Sequence, residues 1–174
     1  VICLNSGNYG SVSFTDIART GYVTIRSVSG LGAQMSPTFS NSDYIKIQNM
    51  TLSDALIHRC SSNIQLVGNT WIEDTGGVSL YNLDQGCDSS NKNILIDGNK
   101  FINTRQTGGE GKITVQTFNG VNITNNLIQG EPGAELPSGS KTGGDGIQIA
   151  GQSNNVIIGP GNIFRDLLQG PCGP

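Results

Sequence analysis

The sequence predicts an all-β chain folded as a single parallel β-helix, a solenoid of roughly six or seven rungs. Three observations predict it. Short apolar alternations recur along the chain, Asn or Gly closes each of them, and no segment carries the i, i+3, i+4 rhythm of an amphipathic helix.

The first set of alternations reads YIKIQNMTL from Tyr44, NIQLVGNTWI from Asn63, NILIDGNKFI from Asn93, GVNITNNLI from Gly120 and NVIIGPGNIF from Asn155. A weaker earlier member is GYVTIRSVSG from Gly21. Aligned, they place Asn69, Asn99, Asn126 and Asn162 in one column, with Met50 in that column one repeat earlier. The last member needs one extra residue, assigned to Gly161, to stay in register. Successive Asn lie 30, 27 and 36 residues apart, an elastic repeat of the kind in which insertions fall in loops. Asn tolerates left-handed backbone at a tight corner and can hydrogen-bond its own copies above and below, while Gly68 and Gly98 relieve the same corner.

A second strand set lies between these repeats: GVSLYNL from Gly77, GKITVQTF from Gly111 and DGIQIAG from Asp145. Each alternates apolar with polar, as a half-buried strand does. If Ile113 and Val115 point inward, Lys112, Thr114 and Gln116 point out. The same rule puts Ser79 and Tyr81 outside Val78 and Leu80, and Gln148 outside Ile147 and Ile149. Three short strands per circuit, with parallel neighbours one circuit apart, fit both sets.

With 174 residues the chain has the size of one domain, 1–174. Charged residues are only 13% and Gly numbers 25, yet regularly spaced Ile, Val and Leu run throughout, which separates the chain from disordered polar sequences. A net charge of -3 with no basic block argues against a nucleic-acid partner. No apolar stretch approaches a membrane-spanning length.

Cys3, Cys60, Cys87 and Cys172 show no CxxC spacing of a metal or redox site. A secreted, extracellular protein with one or two disulfides fits them, against the alternative of buried free thiols. Cys60 and Cys87 fall near the ends of equivalent strands in neighbouring circuits, so they either form a disulfide between adjacent rungs or are both buried as small apolar groups. Cys3 and Cys172 fall at opposite ends of a solenoid, where they do not pair with one another. The sequons Asn49-Met50-Thr51 and Asn122-Ile123-Thr124 are glycosylation sites only in a eukaryotic secretory host.

The run NILIDGNKFINT and its weaker copies resemble the right-handed parallel β-helix proteins of the pectate lyase superfamily, and the opening VICLNSGNYGSVSF resembles the first coil of such domains. The resemblance covers nearly the whole chain. It implies a single right-handed parallel β-helix and an extended polysaccharide bound in a groove along one face. It is weak for activity, because the superfamily holds lyases, hydrolases, epimerases, phage tailspikes and adhesins. Against it, the chain reads as an excerpt lacking N- and C-terminal caps, its ends covered by another chain or a missing segment.

The groove expectation selects residues. The outward column reads Ser79, Thr114, Gln148, with Tyr81 and Gln116 beside it, and the adjoining loops carry Arg105, Glu110, Glu131, Glu135 and Lys141. A uronate lyase needs a base for the C5 proton, a cation or Ca²⁺ for the carboxylate and a donor for the leaving oxygen. Lys112 or Lys141 suits the base, Arg105 the neutraliser, and Asp145 with Glu110 a Ca²⁺ ligand pair. Tyr81, Thr114, Gln116, Gln148 and Lys141 are the candidate substrate-binding residues. A hydrolase would need paired carboxylates, Asp84 with Asp88 or Glu110 with Asp145, but the paired Asp-Asp and His-Gly signatures of polygalacturonase-like β-helices are missing.

Other residues read as structural. His58, the sole histidine, sits near the end of an early strand as a surface or edge residue. Trp71 follows the Asn corner at a position filled by Phe101 and Phe164 in other repeats, which makes it core and leaves Tyr81 as the better sugar platform, ahead of Phe118. The competing function is a non-catalytic solenoid: an adhesin, a tailspike segment or a sugar-binding module. Ice binding would need a flat regular Thr array, which VTIRS and KITVQT do not supply.

Overall fold

The computed structural model describes residues 1–71, 77–82, 87, 90, 92–102, 112–130 and 146–167. Among them there are strands and turns and no helix. The early strands are β1 (Ile2–Leu4), β2 (Gly7–Thr15), β3 (Val23–Ser27) and β4 (Ala33–Ser40). They are followed by β5 (Asp43–Gln48), β6 (Thr51–Leu52), β7 (Ala55–His58), β8 (Ser62–Val67), β9 (Thr70–Trp71) and β10 (Val78–Tyr81). Then come β11 (Ile94–Asp97), β12 (Lys100–Phe101), β13 (Ile113–Gln116) and β14 (Asn119–Thr124). The last are β15 (Leu127–Gln129), β16 (Ile147–Ala150), β17 (Asn154–Ile158) and β18 (Ile163–Arg165).

These strands form two sheets, and the described pairings are parallel. The first sheet is seven-stranded, in the order β1-β3-β5-β8-β11-β14-β17. The second runs β16-β13-β10-β7-β4-β6-β9-β12-β15-β18, with β2 pairing β4. β4 pairs both β6, through Met35 and Leu52, and β7, through Phe39 and Ile57, which joins the two halves of that sheet. From β5 onward the chain repeats one order: a first-sheet strand, a short strand, then a longer one, as in β8, β9 and β10. The quoted repeats therefore supply the first sheet and the short strands, and the second strand set supplies β10, β13 and β16.

Alternation decides what is buried. On the first sheet Ile45, Ile47, Ile64, Leu66, Ile94, Ile96, Val121 and Ile123 are buried, with Lys46, Gln65 and Asn122 on the other face. On the second, Met35, Leu52, Trp71, Phe101 and Ile128 succeed one another in register, and Trp71 stacks on Phe101 at 4.5 Å. Trp71 is core, as its place in the repeat predicts. So is Phe118, which is therefore not a sugar platform.

The Asn column is a continuous ladder. The Asn69, Asn99 and Asn126 side chains are fully buried. Each Oδ1 accepts from the previous repeat, and each Nδ2 donates back to a strand carbonyl of the previous repeat and onward to the next Asn: Asn99 Oδ1 takes the Asn69 N–H at 2.9 Å, while Asn99 Nδ2 donates to Leu66 O at 2.9 Å and to Asn126 Oδ1 at 3.0 Å. Met50 holds the first place in the column, donating its N–H to Asn69 Oδ1 at 3.1 Å, and Asn162 accepts from Asn126.

Two details correct the sequence reading of this corner. The ladder asparagines are not themselves left-handed. That conformation belongs to the residue before each: Asn49, Gly68, Gly98, Asn125 and Gly161. The side chain thus stays inside while the backbone turns one residue earlier. Nor is Gly161 the inserted residue of the last repeat. It takes the corner place of Gly68, and the extra residue falls between Ile158, which pairs with Ile123, and Gly161.

Two more corners follow the same rule. Tyr44, Asn63, Asn93, Gly120 and Asn155, the first residues of the five quoted repeats, are all left-handed, and Asn93 Nδ2 donates to Asn63 Oδ1 at 2.8 Å. Asp16, Asn41, Arg59, Thr117 and Gly151 turn the chain after β2, β4, β7, β13 and β16. There Ser42, Ser61 and Ser153 form a hydroxyl counterpart of the Asn ladder, with the Ser42 N–H donating to Ser61 Oγ at 3.2 Å and the Phe118 N–H to Ser153 Oγ at 3.3 Å. Cys60 and Cys87, beside this corner, form a disulfide. Cys3 is a free, exposed thiol in β1.

Candidate functional site

The outer face of β2, β4, β7, β10, β13 and β16 carries two columns in exact strand register. One runs Ser13, Thr38, Leu56, Ser79, Thr114, Gln148. The other runs Thr15, Ser40, His58, Tyr81, Gln116, Ala150. Inward partners such as Phe39, Ile57, Leu80 and Val115 fix this orientation, because neighbours along a strand face opposite ways. Six strands span about 24 Å at the usual strand spacing.

The pairing Ser79–Thr114–Gln148, with Tyr81 beside Gln116, is the one expected from alternation. Ser79, Tyr81, Gln116 and Gln148 are half-buried and line the face. Sequence reasoning missed how far the columns run. Ser40 and His58 extend the Tyr81 column, so His58 is not an isolated edge residue but the direct cross-strand neighbour of Tyr81. The alternation of ALIH was the available signal, but its register with VSLY could only be guessed across the intervening 19 residues from Arg59 to Gly77.

Two expected surface residues differ. Lys112 and Thr114 are each only 3% exposed. Thr114 is a short side chain with strands on both sides, and Ser79 and Gln148 flank it. Lys112 stands at the start of three neighbouring parallel strands: Val78 N–H donates to Lys112 O at 2.8 Å, and Ile113 N–H donates to Gly146 O at 3.2 Å. A Cβ on Gly77 would collide with the Lys112 carbonyl, so this approach requires glycine. Neither residue presents the open surface assigned to it from alternation alone.

Arg105, Glu110, Lys141 and Asp145 lie outside the described residues, as do Glu131, Glu135, Asp84 and Asp88. The proposed Ca²⁺ pair and carboxylate neutraliser are therefore not located. Among the described residues no group of three or more His, Cys, Asp or Glu converges as a metal centre. No helix among them is long and apolar enough to cross a membrane.

Chemically, the two columns offer hydroxyls, amides, one phenol and one imidazole. Such a face donates to and accepts from hydroxyl groups at every strand spacing, and Tyr81 adds a ring. Comparison with protein-family models, with curated proteins and with solved structures gives no match.

Proposed function

We propose that the chain is a single right-handed parallel β-helix of the pectate-lyase-like kind, acting outside the cell, whose outer columns on the second sheet hold an extended polysaccharide. The observation that carries this reading is the register of Ser79 with Thr114 and Gln148, and of His58 with Tyr81 and Gln116. A polymer of hydroxylated rings lying across the strands meets a fresh hydrogen-bonding side chain at each step of about 4.8 Å. Tyr81, central in its column, supplies the stacking surface. The Cys60–Cys87 disulfide supports an extracellular setting.

A uronate lyase is the second reading, and it requires Lys112, one residue before β13 and only 3% exposed, to be uncovered when the polymer binds. In it Lys112 or Lys141 takes the C5 proton, Arg105 neutralises the carboxylate, and Asp145 with Glu110 holds Ca²⁺.

One experiment addresses both. Wild type, Tyr81→Ala and Lys112→Ala are titrated with pectate, alginate, glycosaminoglycans and neutral glucans, with calcium and with chelator, while ultraviolet absorbance follows unsaturated uronate products. Binding that falls about tenfold in Tyr81→Ala, with no product, supports the binding face. Product that requires calcium and vanishes in Lys112→Ala makes the chain a lyase. A folded protein that neither binds nor cleaves any polymer overturns both.

A further inference from the structure

The inward columns of both sheets end in exposed apolar side chains at the two extremes of the strand order. The clearest column runs through the first sheet in strict register, from Ile2 through Ile25, Ile47 and Ile123 to Ile158. The members between its ends are buried, whereas Ile2 is 48% and Ile158 49% exposed. A second column runs from Phe14 through Phe39, Ile57 and Val115 to Ile149. There Phe14 is half-buried and Ile149 is 45% exposed. The column of Met35 and Trp71 ends on Phe164, 46% exposed.

The strands that carry these ends are open edges. Among the described residues β1 pairs with β3 alone, β2 with β4, β16 with β13, β17 with β14 and β18 with β15. An unpaired edge offers its N–H and C=O groups to a further strand, and charge or proline ordinarily guards it. None of the five strands contains proline, and Arg165 in β18 is their one charged residue. Apolar side chains beside an unguarded edge mark an association surface.

We propose that the last face binds the first face of a second copy of this chain, stacked head to tail, with β17 of one copy pairing in parallel with β1 of the next. Ile158 then meets Ile2, Ile149 meets Phe14, and both columns run on across the junction. β2 suits the rest, because it already spans both arms of the second sheet: Asn8 continues the arm of Gln34 and Thr51, which leads to β18, and Phe14 the arm of Phe39 and Ile57, which leads to β16. A second copy is the occupant because the chain holds the complement at its other extreme. Strand direction and column order match, aliphatic meets aliphatic, and Arg165 faces an uncharged β2. A two-fold pairing of the last face with itself would run β17 antiparallel to β17 and leave Ile2 uncovered. A head-to-tail contact is heterologous and does not close on itself, so it builds open stacks. The proposal does not rest on the polysaccharide reading, since the outer columns take no part in the contact.

The test is sedimentation velocity of the full chain over a concentration series, with Ile2→Lys, Ile158→Lys and their equimolar mixture. Wild type should form stacks that lengthen with concentration. Each variant alone should stay monomeric, its association constant reduced at least about a hundredfold by an unpaired charge set against aliphatic side chains. The mixture should regain association and stop at dimers, because each variant keeps one intact face. Leu95→Lys, the same change on the outer face of β11, is the control and should stack like wild type. Circular dichroism shows whether each variant is folded. A spin label on Gln48→Cys, with Cys3 and Cys172 replaced by Ser, leaves both apolar faces intact and gives a second measure. Head-to-tail copies place their labels about 34 Å apart, seven strand spacings, against about 24 Å for two first faces and about 43 Å for two last faces. A folded wild type that stays monomeric, or stacking indifferent to both lysines, would overturn the proposal. So would variants that still dimerise alone, a mixture that stays monomeric, or a label distance of either two-fold kind.

Discussion

Asn69 and Asn99 are joined twice through one atom: Asn99 Oδ1 accepts the Asn69 N–H at 2.9 Å and the Asn69 Nδ2 at 3.2 Å. Both residues are fully buried, 30 positions apart in sequence. Asn99→Ala therefore strands the Asn69 N–H and also removes the donors to Leu66 O and Asn126 Oδ1. With about 1–3 kcal/mol for each buried group left unsatisfied, the variant should lose roughly 3 kcal/mol. Urea denaturation followed by circular dichroism checks this. Asn93→Ala, which breaks an exposed contact to Asn63, should lose less than about 1 kcal/mol. Equal losses would mean the buried ladder is not the stronger element.

This ladder was legible because its rule is local. One Asn per repeat, two or three residues past an apolar alternation, is visible in the chain as written, and so is the inward set of Ile and Leu. What the sequence hid depends on neighbours in space. Gly and Asn serve equally at a left-handed corner, so the turn could be placed on Asn69 when it belongs to Gly68. Thr114 alternates outward yet is only 3% exposed. His58 joins Tyr81 only through register. None of these can be read from one strand at a time.

Trp71 stacks on Phe101 in the core, yet its Nε1 is buried with no hydrogen-bond partner among the described residues. The indole thus contributes apolar area and carries an unsatisfied donor. Trp71→Ala should cost about 3–5 kcal/mol through the cavity it leaves. Trp71→Phe should cost under about 1.5 kcal/mol, because it keeps a ring on Phe101 and deletes the stranded N–H. Thermal melts by circular dichroism distinguish the two, and similar losses would mean that indole volume alone decides.

The Cys60–Cys87 disulfide closes a segment of sequence separation 27. Chain-entropy arithmetic for a loop of that length gives about 3.5 kcal/mol. Reduction, or the double variant Cys60→Ser with Cys87→Ser, should lower the melting temperature of the folded protein accordingly. A melting temperature unchanged by reductant would show that the corner beside Ser61 is held by its hydrogen bonds alone.

Tyr22 meets Tyr44 edge to face at 5.4 Å. Burial raises the Tyr22 pKa above its ordinary 10.0, the Gln65 hydrogen bond lowers it, and Tyr44 raises it further. A phenol whose folded pKa is raised binds its proton more tightly in the folded chain. Its contribution to stability is complete below about pH 10 and is lost as pH rises through the folded value. Tyr22→Phe should therefore flatten the alkaline decline of stability and leave neutral-pH stability nearly unchanged, Tyr22 being partly exposed. Denaturation midpoints at neutral and strongly alkaline pH check the sign.

Gly77 makes the last case. It is not left-handed, so backbone strain gives no reason for glycine there; the reason is the Lys112 carbonyl, which stands where a Cβ would be. The obstacle is backbone, and that carbonyl already accepts the Val78 N–H at 2.8 Å. It cannot move aside without lengthening a ladder bond between β10 and β13. Gly77→Ala should therefore cost about 1–3 kcal/mol, although alanine ordinarily stabilises a non-left-handed glycine position through the unfolded state. Gly21→Ala, where a Cβ meets nothing within 4 Å, is the control and should be neutral or stabilising. If both variants behave alike in denaturation, close approach of the Lys112 carbonyl is not what holds glycine at position 77.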